Sequence, residues 1–589
     1  MRDPGSISRL LCLAVCAVVL GWLSGTRSDA QAAADLVLTN GTILTVDASD
    51  SVAQAVAITG GRIVAVGTSD AVKARIGANT RVVDLRGRTA TPGLIDTHVH
   101  FSEADQMFTI DLSDPAVKRL DDVLARVKEQ VAKLEPGAWV RGRGWDEARL
   151  AEHRYITAAD LDRVAPDNPV WLTQTTGHYG VGNSYALKLG GVERETRDPP
   201  AGTIDRDATG KPTGVLKESA TGLVTKHVPP LTREQAKQGI LKIIRDFNAE
   251  GMTGAKDPGI GPEKWDLYRE ILGEDQLTVR LFALWSGGTT LDSANAALAQ
   301  IARYPRPPAS LGDGRLFSGG VKLFMDGSGG ARTAWMYDDF NRNFADKDTG
   351  NHGYPTMDPE VYRQVVQTLH GAGVHISTHA IGDHAIDWVV DTYEQVLKEK
   401  PTRGLRHGII HANTPTDHAI ETFARLQREY DAGYPESQAT FLWWLGDNYA
   451  GNLGAQRVHR LEPFRTFVQK GVRWGGGSDF GVTPFPARYS LWASVARTTL
   501  NGTFGAQPFG TAEAIDIRTA LRSHTIWAAH QMFMENRVGS IEAGKDADIA
   551  VWDRDLYTVP TADLKELKCE MTLLRGTTVF AASSRPEAP

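Results

Sequence analysis

The sequence predicts an α/β protein: a (β/α)8 TIM barrel carrying a small composite β-sandwich domain built from both termini. Three observations lead there. Through the middle of the chain, eight short apolar runs alternate with helical patterns such as Arg233 to Glu250 and Asp358 to Gly371. Two β-rich stretches of like texture, the first broken by Asn-Gly and Gly-Gly turns, flank that middle. The run Thr91-Pro92-Gly93-Leu94-Ile95-Asp96-Thr97-His98-Val99-His100 opens on a Pro-Gly turn and closes on two histidines one residue apart.

Size and charge narrow the classes. With 589 residues and 41% hydrophobic content the chain forms a large core and more than one folding unit. Its 64 basic and 71 acidic residues leave a net charge of -7, and no long basic run with interleaved aromatics follows a nucleic-acid backbone. Nucleic acid is excluded as the expected partner, and a small-molecule substrate takes its place.

Residues 1–32 read as a signal peptide: Arg2 and Arg9 precede a nearly all-apolar Leu10 to Leu23, and small residues follow. Cleavage is expected after Ala30 or Ala32, giving an exported protein, periplasmic or secreted. The apolar run is too short for a membrane span, so none is expected in the mature chain. Leu13-Ala14-Val15-Cys16 resembles a lipoprotein box but sits inside the apolar run, which makes anchoring through Cys16 the lesser option. Cys12 and Cys16 leave with the segment. The remaining Cys569 forms no internal disulfide, and a metal site must come from His, Asp, Glu or Lys.

The first part of the β-sandwich is expected over 33–90, in pieces such as Leu36-Val37-Leu38 and Arg62-Ile63-Val64-Ala65-Val66, and its second part over 531–589, around Asp548-Ile549-Ala550-Val551-Trp552 and Thr572-Leu573-Leu574. The barrel takes 91–530. Its strands are read as Leu94–His100, Met252–Lys256, Val279–Trp285, Gly320–Met325, Val374–His379, Leu405–His411, Ala432–Gln438 and Val472–Ser478. A ninth run, Pro169–Gln174, lies in a stretch far longer than one crossover needs, which reads as an α+β insertion over about 101–231 covering the C-terminal mouth.

The chemistry follows from the strand ends. Side chains alternate along a strand, so His98 and His100 would share a face and could bind one ion; two unrelated histidines in a surface turn are the plain alternative. Imidazole pairs suit zinc and its neighbours. With the strands numbered in order, Lys322 lies on the fourth, His379 ends the fifth, His411 ends the sixth and Asp479 follows the eighth, so six residues converge on one mouth. His375 and His407 lie deeper and read as core residues, and Asp383 reads as a helix cap. His178 ends a strand of the insertion in a Gly-flanked turn, where reaching over the site and a structural role are equally open.

These residues stand in Gly93-Leu94-Ile95-Asp96-Thr97-His98-Val99-His100, Val321-Lys322-Leu323-Phe324-Met325-Asp326-Gly327-Ser328, His379-Ala380-Ile381-Gly382-Asp383, Arg406-His407-Gly408-Ile409-Ile410-His411-Ala412 and Gly477-Ser478-Asp479. Through them nearly the whole mature chain resembles the amidohydrolase superfamily, in its YtcJ-like, N-substituted formamide deformylase-like branch. Two places depart: Ile410 stands where a Glu usually precedes the histidine, and Ser328-Gly329-Gly330-Ala331-Arg332 replaces the usual sequence, which bears on contacts around the ligands. The resemblance implies one or two divalent ions, zinc first, held by His98, His100, Lys322, His379, His411 and Asp479. It implies a carboxylated Lys322 bridging two ions; an unmodified Lys322 paired with Asp326, or a single ion, stays open. Asp479 would be the general base, with His178 placed to polarise a carbonyl.

An N-substituted amide or formamide is the leading substrate class, ahead of cyclic amides, carbamates and esters. Trp145, Tyr179, Trp335, Phe441, Trp443 and Trp444 fall in expected mouth loops or in the insertion, which suits a pocket for an apolar or aromatic group; ordinary packing explains most of the tryptophans equally well. An exported, non-catalytic binding protein is the reading from another class, and a homodimer is carried as one option for assembly.

Overall fold

The computed structural model describes residues 32–101, 107–341, 350–502 and 510–582. The expected signal peptide lies outside them, save for its last residue. Eight parallel strands pair in chain order at the centre: β1 (Leu94–Asp96), β2 (Met252–Ile260), β3 (Arg280–Ser286), β4 (Leu316–Phe324), β5 (Ile376–Ala380), β6 (Gly408–His411), β7 (Tyr434–Ser437) and β8 (Gly475–Gly476). The ring is drawn together between β8 and β1 by Thr97 N–H donating to Gly476 O (3.0 Å) and Asp479 N–H donating to His98 O (2.7 Å). All eight expected runs supply a barrel strand.

One expectation is corrected at β1. The strand stops at Asp96, so His98 and His100 do not alternate along it. The cause is the Asp96 carboxylate, which accepts N–H bonds from His98 (3.0 Å) and Ser478 (3.1 Å) and bends the chain into a turn at the strand's end. The histidines reach the mouth from that turn.

Helices outside the ring follow from pattern and cap. In Arg233–Ala249, Thr232 caps the Gln235 N–H (3.2 Å), and Ile240, Ile243, Ile244 and Phe247 fall on one buried stripe at helical spacing. Each such side chain contributes about 1.5–3 kcal/mol through burial.

The two ends of the chain meet in one six-stranded sheet, in the order Thr577–Ala581, Cys569–Leu574, Ile549–Trp552, Thr89–Pro92, Thr42–Leu44, Val52–Ala53. A four-stranded sheet of Arg62–Gly67, Ala55–Thr59, Leu36–Thr39 and Arg81–Asp84 accompanies it, with Leu38, Ile43, Val56, Ile549 and Leu573 in a common core. Arg280 of β3 ties this layer to the barrel: its buried guanidinium donates to Asp548 (2.6 Å) and Asp546 (2.9 Å).

The ninth run is no barrel strand. Val170–Gln174 belongs to a separate six-stranded sheet with Gly202–Arg206, Pro212–Glu218, Tyr179–Gly182, Val140–Trp145 and Ile110–Asp111. Among the described residues, no helix is long and apolar enough to cross a membrane.

Candidate metal centre and active site

His98, His100, Lys322, His379, His411 and Asp479 all line one cavity of about 1110 Å³ at the C-terminal ends of the barrel strands. Local backbone brings them there at a cost. His411 (φ 74°) and Asp479 (φ 54°) take left-handed conformations that L-residues with side chains rarely adopt, and such strain collects at functional sites. Asp479 turns its carboxylate Oδ1 to 3.3 Å from His98 Nε2 and 3.1 Å from His100 Nε2.

The hydrogen-bond pattern tests whether a cation suits these groups. Both ring nitrogens of buried His98 make no hydrogen bond, and neither does Asp479 Oδ1. Buried polar atoms are rarely left so. His379 donates its Nε2–H to Gly327 O (2.9 Å), and His411 donates its Nδ1–H to Gln438 Oε1 (2.7 Å). Gln438 is held in that sense because its own amide donates to Glu436 O (2.6 Å). The remaining nitrogens, His379 Nδ1 and His411 Nε2, then face each other 3.0 Å apart with lone pairs on both. Such a contact is relieved by a positive charge between the two nitrogens, a shared proton or a metal ion. Ligand atoms of His98, His411 and Asp479 also lie within 4.8 Å of one another. Imidazoles with a carboxylate suit a zinc-type divalent ion, and the residues fit one.

The electrostatics agree. Burial, with Lys322 nearby, holds His98 well below the usual imidazole range; burial does the same for His379 and takes His411 to about 3. Burial thus favours the neutral form of all three, the form that metal binding would require. Burial would raise the Asp479 carboxyl, but the facing imidazoles of His100 and His98 hold it well below its ordinary range. Burial brings Lys322 down to about 7. Its Nζ sits 4.3 Å over the Phe324 ring, and no ion pair forms with Asp326, whose carboxylate accepts the N–H groups of Trp335 (3.0 Å), Ile381 (3.0 Å) and Gly382 (2.8 Å). In the barrel interior Lys256 and Glu436 form a buried pair at 2.7 Å.

His178 also lines the cavity, its ring centre 5.1 Å from that of His379. Its Nδ1 lies 3.1 and 3.0 Å from the two carboxylate oxygens of Glu218. Burial lowers its pKa, but Glu218 more than offsets this and the balance is upward.

His375 is a core residue bonded to Lys256 (3.1 Å), Ser377 (3.0 Å) and Leu405 O (3.0 Å), and His407 pairs with His370 (3.0 Å). Asp383 is not the cap: Gly382 holds that position, and Asp383 sits in the first turn, accepting from Tyr337 N–H (2.9 Å). The aromatic lining is corrected. Trp145 and Tyr179 pack in the core of the insertion, and Trp145 donates to Leu172 O (3.0 Å), because their strand positions face inward. Phe441 stacks behind His411 at 5.6 Å, Trp335 covers His384, and Trp443 and Trp444 cluster with each other. The cavity takes its aromatic surface from Trp171 and Phe324 instead. Sequence reading missed Glu218 and Gln438. Gln438 had a signal, its place at the end of the seventh apolar run; Glu218 had none.

A model of the amidohydrolase family matches residues 81–580. N-substituted formamide deformylase of Arthrobacter pascens is 31% identical over 555 residues, covering 92% of this chain and 97% of the relative. YtcJ of Bacillus subtilis (strain 168) is 27% identical over 517 residues, covering 87% and 93%. A solved structure of an uncharacterized metal-dependent hydrolase from Pyrococcus horikoshii OT3 superimposes with a TM-score of 0.67 at 24% identity, covering 90% of this chain and 99% of that one, which supports the fold. The barrel, the histidine and carboxylate cluster at its mouth and the match along most of the chain together place this protein in the amidohydrolase family, metal-dependent hydrolases of carbon–nitrogen bonds.

Proposed function

We propose that the protein hydrolyses a non-peptide carbon–nitrogen bond in a small N-substituted amide or formamide. The observation that carries this is the buried His98 ring, with no hydrogen bond on either nitrogen, facing Asp479 beside His411 in one cavity at the barrel mouth. The substrate class draws on the relative named as a formamide deformylase. Zinc, as one or two ions, is the proposed metal, with His98, His100, His379, His411 and Asp479 as ligands. When bound, such an ion lowers the pKa of water and polarises a carbonyl. Lys322, brought to about 7 by burial, would as its neutral amine add carbon dioxide, release a proton and become an anionic ligand.

In this reading Asp479 accepts the proton of the attacking water and returns it to the leaving amine, which its position beside His98 and His100 supports. His178 presents Nε2 to the cavity, since Nδ1 is engaged by Glu218, and donates from it to the carbonyl oxygen when protonated. Export to the periplasm or outside the cell completes the proposal.

Elemental analysis of the purified protein, read with a panel of amides, formamides, carbamates and esters, tests it. The expected result is one or two zinc per chain and turnover confined to C–N substrates. Ester turnover alone would move the substrate class, and His98→Ala and His411→Ala proteins that fold and keep full metal content would overturn the site.

A further inference from the structure

Glu218 ends the strand Pro212–Glu218 in a conformation (φ 49°, ψ −129°) that a side chain disfavours. A strained residue persists only where its surroundings over-determine it. Here they do so on both sides. Its N–H donates to His178 O (2.8 Å), and its carboxylate meets His178 Nδ1 through both oxygens. From the barrel, Thr333 donates its hydroxyl to Glu218 Oε1. That hydroxyl accepts the Ser328 N–H (3.0 Å), so its proton is free for the carboxylate. Gly327 is part of the same joint: a Cβ there would stand 2.2 Å from Glu218 Oε1 and 2.1 Å from Thr333 Oγ1. The Gly327 carbonyl is the acceptor that orients His379.

We propose that Glu218 is a positioning residue of this site: its carboxylate takes the Nδ1–H of His178, turns Nε2 to the cavity, and is locked by Thr333 on the turn that orients His379. The inference rests on the hydrolase reading above and extends it to a residue that lines the same cavity and acts on the chemistry through His178. The insertion and the barrel are thereby set in register at the reacting atoms. A carboxylate that fixes which nitrogen of a histidine carries the proton acts through that histidine alone.

The test uses the zinc-loaded full chain and three variants, Glu218→Gln, Glu218→Ala and His178→Asn. In Glu218→Gln the lone oxygen is claimed by Thr333 and the amide NH2 faces His178 Nδ1, so an isosteric change opposes the Nδ1 proton without emptying the joint. Imidazole nitrogen NMR, with the His178 signal identified by its loss in His178→Asn, is expected to show Nδ1 protonated in the wild type and depleted of its proton in both Glu218 variants. With an N-substituted formamide, either Glu218 variant should lower kcat by about ten- to hundredfold at unchanged zinc content and little change in KM. In the His178→Asn background the same change should cost nothing further. An unchanged Nδ1 proton, or an equal loss with and without His178, would overturn the proposal. If the wild type turns over no amide, the hydrolase reading fails by itself, and the Nδ1 proton alone decides for or against Glu218. Should Glu218→Ala not fold, Glu218→Gln carries both measurements.

Discussion

Replacing Asp479 by Asn separates chemistry from scaffolding, because the structure assigns them to different atoms. The main chain of Asp479 is anchored without its carboxylate: its N–H donates to His98 O (2.7 Å), and its carbonyl accepts the N–H of Val482 (2.6 Å). At φ 54° an Ala would be strained, whereas Asn tolerates this left-handed region. Asp479→Asn should therefore fold with a melting temperature near wild type and keep most of its metal through His98, His100, His379 and His411. An amide carries no proton from water to leaving group, so turnover is expected to fall about a hundredfold or more, roughly 2.7 kcal/mol of lost transition-state stabilisation. The assay measures kcat, zinc content and melting temperature on one preparation, with the substrate found in the panel. Near-normal turnover with metal retained would refute Asp479 as the base and turn attention to His178. A fall in stability with full activity in the surviving folded enzyme would make Asp479 structural.

Gln438→Leu removes the acceptor that holds His411 Nδ1–H, and the variant should bind zinc about 10–100-fold more weakly in a chelator competition. Glu535 supplies a pH test. Burial would raise its pKa, but bonds from His530 and from Arg406 (2.7 Å) pull it from 4.5 to about 2, so its contribution is present above pH about 4.5 and is lost as pH falls toward 2. Because solvent screens this partly exposed pair, Glu535→Gln should be less stable than wild type by only about 1 kcal/mol at pH 7, with the difference in urea unfolding closing through that acid window. N-terminal sequencing of exported protein is expected to begin near Gln31 or Ala33; recovery with Met1 retained would remove the export proposal.

Local sequence determined a good deal of this molecule. The eight apolar runs became the eight barrel strands because burial on both faces of a parallel sheet leaves a continuous apolar signature that reads without neighbours. Strand order then put His379, His411 and Asp479 at one mouth, since every parallel strand delivers its C-terminal end to the same face. The paired β-rich ends were legible for a similar reason, their spacing and turns. What required the tertiary structure is everything decided by contacts across the chain. Asp96 ends β1 because Ser478, 382 residues away, donates to it, so His98 and His100 approach from a turn. The aromatics counted for the mouth went elsewhere, Trp145 and Tyr179 into the insertion's core and Phe441 behind His411, because composition marks an aromatic but not the side of the strand or helix it occupies. Nothing in the local sequence marks Glu218; the pairing of its strand with the one after His178 brings the carboxylate to that ring, and the Gly327–Thr333 turn of the barrel locks it there. Sequence determines which groups can bind metal or move a proton; the proton each imidazole carries depends on an acceptor supplied by a distant part of the fold.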